Sequence, residues 1–302
     1  MRILILGANG FLGKAIQNNL LIQKIDFFTS DMHGECDYLG DLSSKGFVMN
    51  LPDFDVIINC AAVQYVTSNK PLIFKKDFFY KNNVVSLQNL YSRYAESKMH
   101  FIHIGTSMMY EQNFSERYFF NSKLKSSGIY SETKVSGQKI VGKFKKNTTI
   151  VPCIIAGEGR GGLFKNFVLS MKYLRLSVLI GSGKNKISIV HVNDVASLIL
   201  SVVKNSHYGI VNAAADDSMS ITDWIEIISK ELGIKKFIVI KAPLMIVKLL
   251  SKVTNYNLLA KEQLLMLEMP HVLDIEASKK IGWNPQYSSE DIIRETTRFF
   301  DK

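Results

Sequence analysis

At 302 residues, 47% of them apolar, the chain can bury a full core as one large domain or two coupled ones. Its net charge of +10 comes from scattered lysines ("FKKDF", "KFKKN", "GIKKF", "ASKKIG") without a basic block or basic-aromatic run, which argues against a nucleic-acid binder. No stretch approaches the roughly 18 apolar residues of a membrane span, and the opening "MRILILGANG" reads as a strand, not a signal. The widely spaced Cys36, Cys60 and Cys153 make neither a disulfide framework nor a zinc set, and no other cluster has metal-ligand spacing. A cytoplasmic, reduced protein without a metal is expected.

The first half alternates short apolar runs with helical patterns. "RILILG" is a buried strand, "FLGKAIQNNLLIQ" a helix, and "IDFFTS" and "DVIINCAA" are strands. One long helix from about 72 to 97 leads into the strand "HFIHIGTS", and a helix containing Tyr130 leads into "TTIVPCII". Strands alternating with helices predict βαβ units and a doubly wound parallel sheet.

The second half is less regular. "GEGRGG" and "GSGKNK" bracket a helix over roughly 163–175. "ISIVHVNDVASLILSVV" is a strand running into a helix, with Asn193 or Asp194 as its expected cap. "YGIVNAAA" is one more strand, and "SITDWIEIISKELG" an amphipathic helix with a capping Ser or Thr and a terminal glycine. The apolar "APLMIVKLLSKV" is expected to form a core-facing helix rather than one lying on a membrane. "GWNPQYSSEDIIRETTRFF" is a turn and a final helix.

The strongest chemical signal is "LILGANGFLG", with Gly7, Gly10 and Gly13 between a strand and a helix. Gly7 permits the tight turn, Gly10 lets backbone N–H groups approach a pyrophosphate, and Gly13 lets helix and strand pack closely. The spacing is G-x-x-G-x-x-G, not the G-x-G-x-x-G of the common dinucleotide fingerprint. Asp31 ends the second strand, 18 residues beyond Gly13, where a carboxylate can accept hydrogen bonds from an adenosine ribose.

Two Tyr-x-x-x-Lys pairs occur, Tyr94…Lys98 and Tyr130…Lys134, and spacing alone cannot choose between them. Ligands of open α/β sheets lie at the C-terminal ends of the strands. Tyr94 and Lys98 close a helix just before a strand, so they belong to the opposite edge. Tyr130 and Lys134 open a helix and belong to the ligand edge. A phenol of pKa about 10 is a poor base at neutral pH, and Lys134 one turn away is expected to bring it toward working range. Thr106, in "GTSMMY" at the end of the preceding strand, offers a hydroxyl to the same substrate oxygen.

These residues resemble the extended short-chain dehydrogenase/reductases of the NAD-dependent epimerase/dehydratase branch, over nearly the whole chain. The resemblance rests on the three glycines, Asp31, Asp41-Leu42, Cys60-Ala61-Ala62, Asn83-Val84, Thr106, Tyr130…Lys134, Pro152, "HVNDVA" and "GWNP". It implies a Rossmann-like sheet binding NAD. Phe11 and Leu12 would lie against the pyrophosphate, Asp41 and Leu42 against the adenine, and Cys153 near the nicotinamide. Asn83 and the Cys60–Ala62 stretch join the implied cofactor site, and Thr106, Tyr130 and Lys134 form the proton-handling site.

The chain also departs from the family pattern, as at Gln138, where the family often has glutamate. Val151 occupies the usual place of an arginine before the proline, and the arginine often preceding "HV-D" is absent, which weakens the usual nucleotide-sugar clamp and leaves Lys186, or Arg160 and Lys165, as the candidate substitutes. Dehydratase and decarboxylase relatives carry an acid directly after the threonine, where this chain has Ser107 and Met108. The expectation is an NAD-binding unit of 1–153 with 187–214 and a smaller mixed substrate unit of 154–186 with 215–302. As a homodimer it would transfer hydride on a nucleotide-linked sugar, as an epimerase or 4-ketoreductase in surface polysaccharide synthesis. The alternatives are a reductase of a non-nucleotide ketone or alcohol, and a cofactor-sensing binding protein without turnover.

Overall fold

The computed structural model describes residues 1–64, 72–114, 117–161, 163–254 and 259–302. Its centre is a seven-stranded, all-parallel sheet of β1 (Ile3–Leu6), β2 (Phe28–Asp31), β3 (Tyr38–Leu39), β4 (Val56–Asn59), β5 (His100–Ile104), β6 (Asn147–Pro152) and β11 (Gly209–Ala213). The order is β11-β6-β5-β4-β1-β2-β3, so the winding reverses between β1 and β4. Every residue of β1, β4 and β5 is buried, as strands covered on both faces require.

Helices supply the two covers. On one face, α1 (Phe11–Ile22) buries Leu12, Ile16 and Leu20 at helical spacing, in a cluster shared with Val195, Leu198 and Ile199 of α7 (Val192–Lys204). On the other, Val48 of α2 (Lys45–Met49), Leu87, Leu90 and Tyr94 of α4 (Ser86–Tyr94), and Val141 of α5 (Ile129–Val141) join one cluster. The long helix expected over 72–97 is broken: α3 (Leu72–Tyr80) passes through a π-helical turn at Lys81–Val85 before α4, which ends at Tyr94. The break falls at Asn83, whose side chain turns away to bond the Val63 backbone.

A third cluster unites Phe164, Val168 and Met171 of α6 (Leu163–Leu174) with Trp224, Ile225 and Ile228 of α8 (Ile221–Glu231). Ile292 and Ile293 of the last helix, α12 (Ser289–Asp301), complete it. Short strand pairs decorate this end: β7 (Ile154–Ala156) with β10 (Ile189–His191), and β9 (Lys186–Ile187) with β12 (Met219–Ser220). β8 (Leu176–Ile180) pairs with β13 (Ile238–Ala242), which runs through Pro243 into α9 (Leu244–Val253). Then come α10 (Lys261–Glu268) and α11 (Glu276–Lys280).

Ser220 caps α8 as expected, and Gly233 follows it at φ +65°. The cap of α7 is neither Asn193 nor Asp194. His191 takes that place, its Nδ1 accepting the Asn193 N–H at 3.2 Å. Asp194 is buried and accepts the N–H groups of Gln286 and Tyr287, which fastens the "HVNDVA" segment to the "GWNP" turn. The core-facing reading of α9 fails: among its residues only Val247 and Ser251 are buried.

Candidate active site

The site begins at the switch point of the sheet, where the turns after β1 and β4 open a crevice. Gly7 has φ +77°, and a Cβ there would stand 2.8 Å from the Ala61 nitrogen. A Cβ on Gly13 would stand 2.3 Å from the Gly7 carbonyl oxygen. Glycine is therefore required at both positions for the turn and for close packing of α1. Gly10 precedes α1 without a side-chain cap, and no acid lies in the first turn. That helix N-terminus retains the positive end of its dipole for an anionic ligand.

A cavity of about 280 Å³ opens from this turn. It is lined by Gly7, Gly10, Phe11, Leu12 and Gly13, by Cys60, Ala62 and Cys153, and by Thr106, Tyr130, Lys134 and Arg160. Tyr130 and the glycine turn thus line one cavity, at the edge where the sequence places this tyrosine. Tyr94 is buried at the far edge, donating its hydroxyl to the Pro52 carbonyl at 2.7 Å. Among the described residues that line the cavity, none carries a carboxyl group.

Thr106 and the Tyr130 phenol line the same cavity, and the Thr106 hydroxyl favours the ionised phenol. Burial pushes that phenol well above its ordinary range, against the pull of Thr106 and of the Arg160 charge. The direction is opposite to the one expected from a neighbouring lysine. Lys134 is itself buried, and its Nζ donates to the Ile104 carbonyl at 3.0 Å. Desolvation lowers its pKa from 10.5 to about 8, weakly opposed by Cys60. Burial likewise pushes the Cys60 and Cys153 thiols up to about 12, so neither is a thiolate at neutral pH.

Asp31 ends β2, and its carboxylate accepts the Asn9 N–H at 2.9 Å and the Met32 N–H at 2.7 Å. Asn9 reaches back to the His33 carbonyl, so the glycine turn and the loop after β2 are laced together. Asp41 pairs with Lys81 at 3.4 Å, and Leu42 is buried in the sheet's cover. Asn83 is not in the cavity wall. It accepts the Val63 N–H and donates to Thr133, holding the segment that carries Ala62 against α5.

The proposed phosphate-gripping cations separate. Arg160 lies in the cavity wall, 5.4 Å above the Phe11 ring, and donates to Gln64 at 3.1 Å. Lys165 is exposed beside Phe300, and Lys186 is exposed on the β9 edge; neither lines the cavity. Sequence reasoning missed Gln64, Met108 and Gln263 in the wall, and Glu262 behind it. Glu262 is buried and accepts the Ser131 N–H at 2.9 Å, at the first turn of α5. Its carboxylate fills the place a Cβ on Gly128 would take. Ser107, also buried, is bonded to His271 at 2.7 Å and so turns away from chemistry.

The sequence profile of the NAD dependent epimerase/dehydratase family matches residues 3–214. The chain belongs to that family. The uncharacterized protein y4nG of Sinorhizobium fredii is 21% identical to it, over 98% of this chain and 78% of that protein. A dTDP-4-dehydrorhamnose reductase from Clostridium acetobutylicum shares the fold at TM-score 0.78 and 19% identity, covering 100% of both chains. So does a UDP-glucose 4-epimerase from Thermus thermophilus in complex with NAD, at TM-score 0.78 and 16% identity, covering 100% of this chain and 99% of that one. The glycine cradle and the uncapped α1 terminus fit the nicotinamide dinucleotide that such a family uses.

Proposed function

We propose that this member of the family is an NAD(H)-dependent enzyme that transfers hydride at a sugar carbon of a nucleotide-linked sugar. It acts as an epimerase or 4-ketoreductase in surface polysaccharide synthesis. The observation that carries the reading is that Thr106, Tyr130 and Lys134 line the same cavity as the glycine turn. Phe11, Leu12 and Gly13 would hold the dinucleotide's pyrophosphate, Asp31 its adenosine ribose, and Lys134 its nicotinamide ribose. Bound there, the nicotinamide supplies a two-electron donor or acceptor.

The remaining chemistry falls to this chain's own groups. Burial keeps the Tyr130 phenol protonated at neutral pH, which suits proton delivery to a carbonyl oxygen. Thr106 orients the phenol and the reacting oxygen, while the Arg160 and Lys134 charges stabilise negative charge developing there. With no carboxyl among the described lining residues, and Met108 in the wall, assisted loss of water lacks its acid. That supports epimerisation or ketone reduction over dehydration. The nucleotide sugars named for the reductase and the epimerase of like fold make that substrate class the first to test. A homodimer through α3, α4 and α5, in the cytoplasm, belongs to the same proposal.

Lys165 and Lys186 do not line the cavity, which favours a second reading, reduction of a ketone that carries no nucleotide. Incubating purified protein with NADH and a panel of UDP- and dTDP-linked 4-keto sugars, beside free ketones, separates the two. Turnover on the nucleotide-linked set, seen by mass spectrometry, is the expected result. Turnover on free ketones alone supports the second reading, and cofactor binding without any hydride transfer overturns both.

A further inference from the structure

Apolar side chains crowd the surface where the chain passes from β13 into α9. In α9 the two buried positions, Val247 and Ser251, lie one turn apart and seat the helix. Its opposite face presents Met245 (83% exposed), Ile246, Leu249, Leu250 and Val253 (73% exposed). The strand before it, β13, is exposed at four of its five residues as well. In the parallel β8–β13 pair, Ile238 is in register with Leu176 and Ile240 with Val178, so these side chains share one face. Ile238, Ile240 and Val178 are all exposed. Scattered exposed apolar residues need no explanation, but their concentration in two consecutive elements of the chain marks a contact surface.

The charge carried by this stretch of chain has one sign. Between Glu231 and Glu262 the chain has six lysines and no Asp or Glu. Lys235, Lys236, Lys241 and Lys252 are exposed among the apolar residues. β8 also comes from an acid-free stretch, running from Glu158 to Asp194 and carrying Arg175 and Lys184. A two-fold pairing of copies through this face would set these lysines against themselves. An anionic bilayer would instead neutralise them while its acyl boundary takes the apolar face.

We propose that β13 and α9 dock the protein on the surface of an anionic phospholipid membrane, lying in the interface without crossing it. The dock adjoins the candidate active site. Lys248 of α9 bridges to Glu268 of α10 at 2.6 Å, and α10 supplies Gln263 to the cavity wall. The inference is independent of which substrate the cavity takes.

Co-sedimentation of the full chain with vesicles tests it. Vesicles of phosphatidylcholine mixed with phosphatidylglycerol should retain the protein at low salt, those of phosphatidylcholine alone should not, and added salt should release it. Two variants read the two halves of the surface. Met245→Ser/Leu249→Ser/Val253→Ser and Lys235→Glu/Lys236→Glu should each weaken binding by about tenfold or more. All five positions are exposed, so melting temperatures should hold, and if one variant misfolds the other still decides. Three outcomes overturn the proposal: no partition of the wild type, variants that bind as it does, or a solution dimer that the triple serine variant dissociates without any vesicle binding.

Discussion

Glu262 accepts the Ser131 backbone N–H at 2.9 Å, so a residue 131 positions away caps the helix that carries Tyr130. A carboxylate at a helix N-terminus satisfies an unpaired N–H and meets the positive end of the dipole. Glu262→Ala should lower stability by about 1–2 kcal/mol, readable as a fall in melting temperature. Glu262→Gln keeps an acceptor oxygen but removes a negative charge that raises the Tyr130 phenol. The limb of the pH–rate profile belonging to Tyr130 should then move to lower pH. An unmoved limb would detach Glu262 from the phenol.

The three glycines should separate by role. Gly13→Ala forces a Cβ to within 2.3 Å of the Gly7 carbonyl and should destabilise the chain by about 1–3 kcal/mol. At Gly10 a Cβ would meet the Gly7 carbonyl oxygen at 3.2 Å, a milder crowding, so Gly10→Ala should lower the melting temperature less than Gly13→Ala and weaken dinucleotide binding. Equal melting temperatures for the two variants would contradict the packing argument.

Much of the candidate site is legible in the sequence. The glycine turn and Asp31 announce themselves because their spacing reflects a local strand-turn-helix geometry. The choice of Tyr130 over Tyr94 needed only the rule that parallel strands deliver ligands to one edge, and the structure places the two tyrosines at opposite edges. Glu262 and Gln263 were invisible because their contacts with α5 and the cavity are purely tertiary. Arg160 could not be told from Lys165 and Lys186, since which cation reaches the cavity depends on how the turn after β7 folds onto Phe11. The misread of α9 has another cause. Apolar periodicity reports that a helix has a face to cover, but not whether the cover belongs to the same chain.

Lys134 makes stability depend on pH. Its pKa in the fold, about 8, lies below the ordinary 10.5, so between these values the unfolded chain holds a proton that the folded chain has released. Stability from this group therefore rises with pH from about 8 to about 10.5, by about 3 kcal/mol in total at 1.36 kcal/mol per unit. The lysine is 3% exposed, so solvent screening does not erode the effect. Denaturant titrations should show this rise in the wild type relative to Lys134→Met. Parallel pH curves for the two would refute the depressed pKa. The same variant should lose turnover and bind NAD(H) less tightly.

Asp31 should favour NAD(H) over NADP(H). A 2′-phosphate about 4 Å from the carboxylate would be repelled by about 4 kcal/mol at an effective dielectric of 20, and half of that is still more than tenfold in affinity. No Arg or Lys in "TSDMHG" could offset it. Isothermal titration should show tighter NADH binding, and Asp31→Ala should narrow the gap. Tighter NADPH binding by the wild type would end this reading.

The most direct test of the central claim is the rate of hydride transfer, followed by nicotinamide absorbance on a nucleotide-linked keto sugar, in Tyr130→Phe and Tyr94→Phe. Tyr130→Phe keeps the ring's packing and removes the transferable proton, so turnover should fall by about 10²–10⁴-fold with cofactor binding and melting temperature little changed. Tyr94 has the same local spacing to a lysine at the opposite sheet edge, and Tyr94→Phe should run near the wild-type rate. Loss of hydride transfer in Tyr94→Phe with Tyr130→Phe unimpaired would contradict the assignment of the site.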